Sequence, residues 1–320
     1  MKEGWILKVV MINDCSHVGE TILKYLPEDF EKTHIKRGRG SWNKTFGLAY
    51  NILKAQGAIY HVHYLLQDCY LAMRFGKHPV VGHAHGSDLR ETIDHKVWGR
   101  IVRHNLKNCH KILVSTPDLL DKARKFSEGA EYLPNPVDTS VFYPKSLPKK
   151  SNARLRVLIG SSNDWKFKGT DVAIHALSRV KERVETHVIR YGPDFEKTIN
   201  LANSLKLPLI VLPKVSHKKI REYYWGAHVI IDQFKFGVLG MVSLEAIACG
   251  RPVITCVSSA LPDYEDFPLH DINTEEKIAS LVMNADLPKL KEGEYSYLCK
   301  HHLPDRISDI VSQTYSSAVT

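Results

Sequence analysis

The sequence predicts an α/β protein of two doubly wound parallel-sheet domains. Three observations carry this reading. Short apolar, β-branched runs alternate with longer amphipathic stretches, the pattern of parallel strands joined by helices. The alternation pauses once, between about residues 134 and 153, and then resumes. The chain of 320 residues is long enough for two domains, each with its own core.

In chain order, the first strands are expected at 7–12, 58–62, 79–83 and 111–115. Helices are expected at 21–26, 98–106 and 117–126, with Pro117 at the first helical position. The pause holds Pro134-Asn135-Pro136-Val137-Asp138 and Phe142-Tyr143-Pro144, followed by a polar, lysine-rich run to Ala153. It is read as the domain boundary. The second alternation gives strands at 156–160, 187–191, 209–212 and 228–231, and helices at 171–180, 195–205 and 218–225. Two Rossmann-like domains follow, 1–147 and 148–320, facing a cleft, with ligand at the carboxyl ends of the strands. The last helix is left free to pack back on the first domain.

Hydrophobic content of 43% and charged content of 25% are those of a globular protein in water. No apolar run reaches the length of a membrane span, and Met1 to Trp5 shows no signal-peptide pattern. A cytoplasmic location is expected, with peripheral attachment to the inner membrane face as its variant. Six scattered cysteines form no CxxC pair, so reduced thiols are expected. The net charge is +9, and residues 1–150 hold 23 Lys and Arg against 15 Asp and Glu. The remainder is nearly balanced, 21 against 20. The basic first half suits an anionic partner such as lipid headgroups, polyprenyl phosphate or nucleic acid.

Asp232 to Pro252 carries the densest local signal. An apolar run, 227–231, leads to a loop marked by Gly237 and Gly240, then to a helix expected at 243–249 and stopped by Gly250 and Pro252. A glycine loop between a strand's carboxyl end and a helix N-terminus favours an anion. Glu245, one turn into the helix, can accept from ligand hydroxyls. A sugar phosphate or nucleotide fits; an ordinary strand–loop–helix unit fits as well.

This stretch resembles the signature of retaining glycosyltransferases of the GT-B fold, in particular glycosyltransferase family 4. Glu245-Ala246-Ile247-Ala248-Cys249-Gly250-Arg251-Pro252-Val253-Ile254 matches the second half of the family's Glu-x7-Glu pattern. The first acidic position falls on Gly237, which leaves the donor sugar undefined. Three further segments resemble the family in order: His85-Gly86-Ser87-Asp88-Leu89-Arg90, Pro134 to Pro144, and Lys168-Gly169-Thr170-Asp171. Together they cover about residues 83 to 254. The resemblance implies an N-terminal acceptor-binding domain and a C-terminal nucleotide-sugar-binding domain. It also implies transfer of a sugar from a nucleotide diphosphate to a hydroxyl acceptor with retention. The acceptor would be a glycolipid, a polyprenyl-linked sugar or a polysaccharide.

The resemblance assigns His85, Lys168 and Glu245 to the reaction, with His85 facing the donor sugar. Donor binding falls to Gly19, Lys166, Lys168, Gly237, Leu239, Gly240, Met241, Val242 and Glu245. A lysine opening a helix can neutralise a diphosphate, and fixed cations stabilise the departing group electrostatically. Solvated lysines are the bland alternative. No cofactor and no metal are expected: His61, His63 and His83 are close in sequence pattern, but no acidic or Cys partner completes a site. Lys36, Arg37, Arg39, Trp42 and Lys44, with Phe46, form a basic segment with interleaved aromatics. It suits an anionic membrane surface or plain solvation, with nucleic acid as the less favoured partner. A non-catalytic nucleotide-sugar or nucleic-acid binder and a GT-B sugar-nucleotide epimerase are the competing functions.

Overall fold

The computed structural model describes residues 6–38, 40, 42–148 and 154–319. Arg39 therefore lies outside the described residues, as does the side chain of Lys44. The chain forms two compact units: Met1–Pro136 with Leu303–Thr320, and Val137–His302.

The first unit is a six-stranded parallel sheet. Its strands are β1 (Leu7–Ile12), β2 (Phe30–Ile35), β3 (Ile59–His63), β4 (Val80–Ala84), β5 (Lys111–Val114) and β6 (Glu131–Tyr132). The order is β2-β1-β3-β4-β5-β6, so the winding reverses between β1 and β3. The helices are α1 (Val18–Tyr25), α2 (Leu48–Lys54), α3 (Gln67–Arg74), α4 (Ser87–Arg90), α5 (Trp98–Asn108) and α6 (Leu120–Arg124). β3 and β4 are buried along their whole length, as the central strands of a covered parallel sheet must be. A core of Val10, Ile12, Val62, Val80, Ile112 and Val114 packs against Ile52, Leu89, Val102 and Leu106.

The second unit is a five-stranded parallel sheet. It contains β7 (Leu155–Ile159), α7 (Thr170–Ser178), β8 (Val184–Ile189), α8 (Phe195–Ser204), β9 (Leu209–Leu212) and α9 (His217–Gly226). It continues with β10 (Val229–Ile231), α10 (Met241–Ala248), β11 (Val253–Ile254), α11 (Glu275–Asn284) and α12 (Leu287–His301). The order β11-β10-β7-β8-β9 places its reversal between β7 and β10. In such sheets ligands bind outside the carboxyl ends of the strands at the reversal point. The last helix, α13 (Pro304–Val319), belongs to the first unit, where it meets α1 and β3.

The contacts divide the chain after Pro136, earlier than the expected boundary at 147/148. Arg251 explains why. Its buried guanidinium donates to the carbonyls of Tyr224, Trp225, Gly250, Lys145 and Ser146. Trp225 Nε1 donates to Tyr143 O at 2.9 Å. The polar segment read as a linker is thereby strapped to the second unit. Among the described residues no helix is long and apolar enough to cross a membrane. All six cysteines are free thiols.

Candidate functional site

In the second unit the loops after β7 and β10 meet at the winding reversal. Asp232 and Gln233 follow β10 directly and are buried. Lys168 Nζ donates to Gln233 Oε1 at 2.7 Å, while Gln233 Nε2 donates to Val238 O at 2.7 Å. The amide thus ties the lysine to the loop that precedes α10. Phe234 N–H donates to Lys168 O at 2.9 Å, which holds the two loops together through the backbone. Gly169 caps α7 in the left-handed conformation, so the Lys-Gly pair turns directly into the helix.

Asp232 Oδ2 accepts from the N–H and the hydroxyl of Ser243, at 3.2 and 2.7 Å. A carboxylate therefore takes one donor of α10's first turn. Met241 and Val242 sit earlier in the same turn, where N–H groups have no intrahelical acceptor. Leu239 N–H points elsewhere, to the Tyr264 hydroxyl at 3.3 Å. The helix starts at Met241, two residues ahead of the expected Ser243. Gly237 has φ 65°, and a Cβ there would lie 3.0 Å from Ser258 Cβ. The backbone at the missing first acidic position would thus strain a glutamate side chain.

Glu245 is buried on α10 and both its oxygens are engaged. His217 Nε2 lies 2.7 Å from Oε1, and the Tyr224 hydroxyl donates to Oε2 at 3.2 Å. Burial beside this carboxylate pushes the Tyr224 phenol well above its ordinary range. Lys166 is exposed, with its ammonium 4.4 Å from the Phe167 ring centre.

The first unit holds the other expected residues. His85 follows β4 at its carboxyl end. Buried Asp88 accepts from the N–H groups of His85, Gly86, Leu89 and Leu65, so the acid of His-Gly-Ser-Asp latches the turn. Arg90 makes a bidentate pair with Asp118 at 2.8 and 2.9 Å. Beneath His85, the rings of His61, His63 and His83 are fully buried. Their nitrogens lie within 4.8 Å of one another, a spacing a metal ion could use. They are engaged among themselves and with neighbours: His61 Nε2 with His83 Nδ1 at 3.2 Å, and His61 Nδ1 with the Tyr315 hydroxyl at 2.6 Å. Burial holds the His61 imidazole down to about 3 and the other three well below their ordinary value, so all four are neutral at pH 7.

Gly19 has a role the sequence did not indicate. Its N–H is taken by Asp14 Oδ1 at 2.9 Å, and a Cβ there would meet His63 Nε2 at 2.7 Å. Glycine at this position makes room for an imidazole and does not leave an open donor. A cavity of about 570 Å³ lies at the winding reversal, lined by Asn13, Asp14, Ser16, His17, Lys36, Arg37, Tyr64, Leu66 and Ser87. On its wall Arg37 and Asn13 both pair with Asp68, and Lys36 Nζ lies 3.1 Å from Glu20. His17 and Lys36 together hold the Glu20 carboxyl down to about 2.

The sequence reading missed Asp232, Gln233, His217 and Tyr224. A polar pair directly after an apolar strand was a usable signal for the first two. His217 and Tyr224 reach Glu245 from α9, and no local pattern marks them.

The fold and this site define the GT-B architecture, two parallel-sheet α/β units of six and five strands. Residues 143–266 match the family Glycosyl transferases group 1. The chain is similar to the alpha-monoglucosyldiacylglycerol synthase of Acholeplasma laidlawii, 26% identical over 177 residues. That match spans 50% of this chain and 44% of the relative. Among solved structures it is similar to sucrose-phosphate synthase from Thermosynechococcus elongatus, with TM-score 0.73 and 14% identity over 97% of this chain and 98% of that one. It is also similar to Anabaena HepE in complex with UDP-glucose, with TM-score 0.75 and 12% identity over 97% of this chain and all of that one.

Proposed function

We propose that the chain is a glycosyltransferase that moves a sugar, with retention, from a nucleotide-diphosphate donor to a hydroxyl acceptor. The observation that carries this is the Lys168 ammonium held by Gln233 at the carboxyl ends of β7 and β10, beside the first turn of α10. A diphosphate leaving group gains charge as the glycosidic bond breaks. A fixed cation and helix N–H groups there stabilise it in the transition state, a contribution of roughly 3 kcal/mol for a donor of this kind. These groups supply the neutralisation without a divalent cation. HepE holds UDP-glucose, which makes UDP-hexoses the first donors to test. The synthase similarity and the matched family favour transfer over a non-catalytic binder or an epimerase.

The acceptor side belongs to the first unit. Its 570 Å³ cavity is lined by hydroxyl, amide and charged groups, with Arg37 paired to Asp68 and Lys36 to Glu20, which suits a hydroxyl-bearing acceptor. An anionic membrane surface is the proposed setting. Trp42, Phe46, Tyr50 and Leu53 are 71, 64, 56 and 52% exposed. They recur at i, i+4, i+8 and i+11 along one helical run, so they share a face. No acidic residue occurs between Lys32 and Asp68. An exposed apolar stripe with cationic flanks fits a lipid interface better than a nucleic-acid backbone.

Assay of UDP-, GDP- and ADP-sugars for slow hydrolysis, with the anomeric product read by NMR, tests the function. Turnover of one donor class with a retained anomer is expected, and it should persist in EDTA. Thermal stabilisation by nucleotides without turnover of any donor would reduce the protein to a binder.

A further inference from the structure

β3 and β4 place His63 and His85 side by side with Met11 of β1. The two rings stack at 4.8 Å with an interplanar angle of 16°. His63 Nδ1 lies 2.7 Å from His85 Nε2, and His63 Nε2 lies 3.0 Å from Met11 Sδ. A neutral imidazole carries one proton, so one ring nitrogen donates and the other accepts. A thioether has no proton and only accepts. The Nε2–Sδ contact therefore requires the proton on His63 Nε2, which leaves His63 Nδ1 bare. The 2.7 Å bond must then be donated by His85 Nε2, and His85 Nδ1 is left with its lone pair. Among the described residues nothing donates to that nitrogen. Gly19 keeps the arrangement in place, because its missing side chain is what lets the His63 ring reach this position.

We propose that Met11 and His63 fix His85 in the Nε2–H tautomer, so that His85 meets its ligand through Nδ1 as a hydrogen-bond acceptor. His63 and Met11 are positioning residues for it. The class of ligand group follows. A hydroxyl can donate to Nδ1, whereas a phosphate oxygen presents only lone pairs and is repelled. The use of this acceptor in turnover rests on the proposed function; the tautomers themselves do not.

The test is a long-range proton–nitrogen correlation spectrum of the full chain labelled with 15N-histidine at pH 7.5, assigned with His85→Gln and His63→Gln. Both rings are expected to carry the proton on Nε2. A proton on Nδ1 of either ring, or a doubly protonated ring, would overturn the proposal. Met11→Leu keeps the volume and removes the sulfur. It should shift both rings toward the Nδ1–H form and lower kcat roughly tenfold, the scale of one lost hydrogen bond, with KM for the donor unchanged. Unchanged tautomers in Met11→Leu would also overturn it. If the tautomers are as stated and His85→Ala leaves turnover intact, the relay stands and the sugar-contact role of His85 falls.

Discussion

His217 Nε2 sits 2.7 Å from one oxygen of Glu245 while the Tyr224 hydroxyl holds the other. The acid that would meet a ribose is thus prepositioned by α9 inside the second unit. Truncation would leave the buried Tyr224 hydroxyl without its acceptor and take one partner from the half-buried His217. Glu245→Ala should therefore cost about 1–3 kcal/mol of stability, read as a fall in denaturation midpoint. It should also weaken binding of both nucleoside and nucleoside diphosphate in titration calorimetry. Wild-type affinity for both ligands would remove Glu245 from the donor site.

Lys168 should discriminate between those two ligands. In the proposed reading its ammonium meets only the phosphates, so Lys168→Ala should lower diphosphate affinity by about tenfold to a hundredfold and leave nucleoside affinity alone. That range is the loss of one charge-assisted hydrogen bond, about 1.5–3 kcal/mol. Gln233→Leu should give a smaller loss in the same direction, because the lysine remains but its tie to the α10 loop is gone. Equal losses for nucleoside and diphosphate would point to general damage to the loop.

The exposed stripe should govern membrane attachment. Wild-type protein should sediment with vesicles containing anionic lipid and be released as salt rises, since each cation near such a surface is worth about 1 kcal/mol. Trp42→Ser with Phe46→Ser should abolish sedimentation while leaving donor hydrolysis near wild type. Replacing Lys36, Arg37, Arg39 and Lys44 by Gln should weaken attachment mainly at low salt. Sedimentation indifferent to lipid charge, or tighter binding to a single-stranded oligonucleotide, would rule the surface out.

The histidine cluster predicts acid sensitivity. His61 is held neutral when folded, down to about 3, because it is buried. In the unfolded chain it takes up a proton near pH 6.5. The folded state therefore binds fewer protons below that pH, so its stability is full above about pH 6.5 and is lost as pH falls. Each such imidazole contributes a slope of about 1.4 kcal/mol per pH unit. Urea midpoints should drop steeply between pH 7 and 5, and His61→Gln should flatten that slope by about one imidazole's share. A midpoint independent of pH in this range would show that these rings are not neutral in the folded chain.

Much of the fold was legible along the chain. β1, β3, β4, β7 and β10 lie where short apolar runs announced them, because central strands of a covered parallel sheet are largely apolar. β2 was missed for the converse reason. Phe30-Glu31-Lys32-Thr33-His34-Ile35 is an edge strand, exposed at Glu31 and Lys32, and has no continuous apolar run. The basic segment, for which no element was expected, turns helical from Trp42, and its apolar stripe emerged only once Tyr50 and Leu53 were found exposed.

The sequence by itself determined the α/β class, the two-part organisation, the positions of Lys168 and Glu245 at helix starts and that of His85 at a strand end, since these follow from periodicity and local spacing. Only the tertiary structure decided what each of these groups touches. Gln233 reaches Lys168 across 65 residues of chain, His63 reaches His85 across 22, and Tyr315 reaches His61 across 254. Those pairings depend on strand order in the sheets. Strand order is set by burial of whole faces and not by any short run of residues.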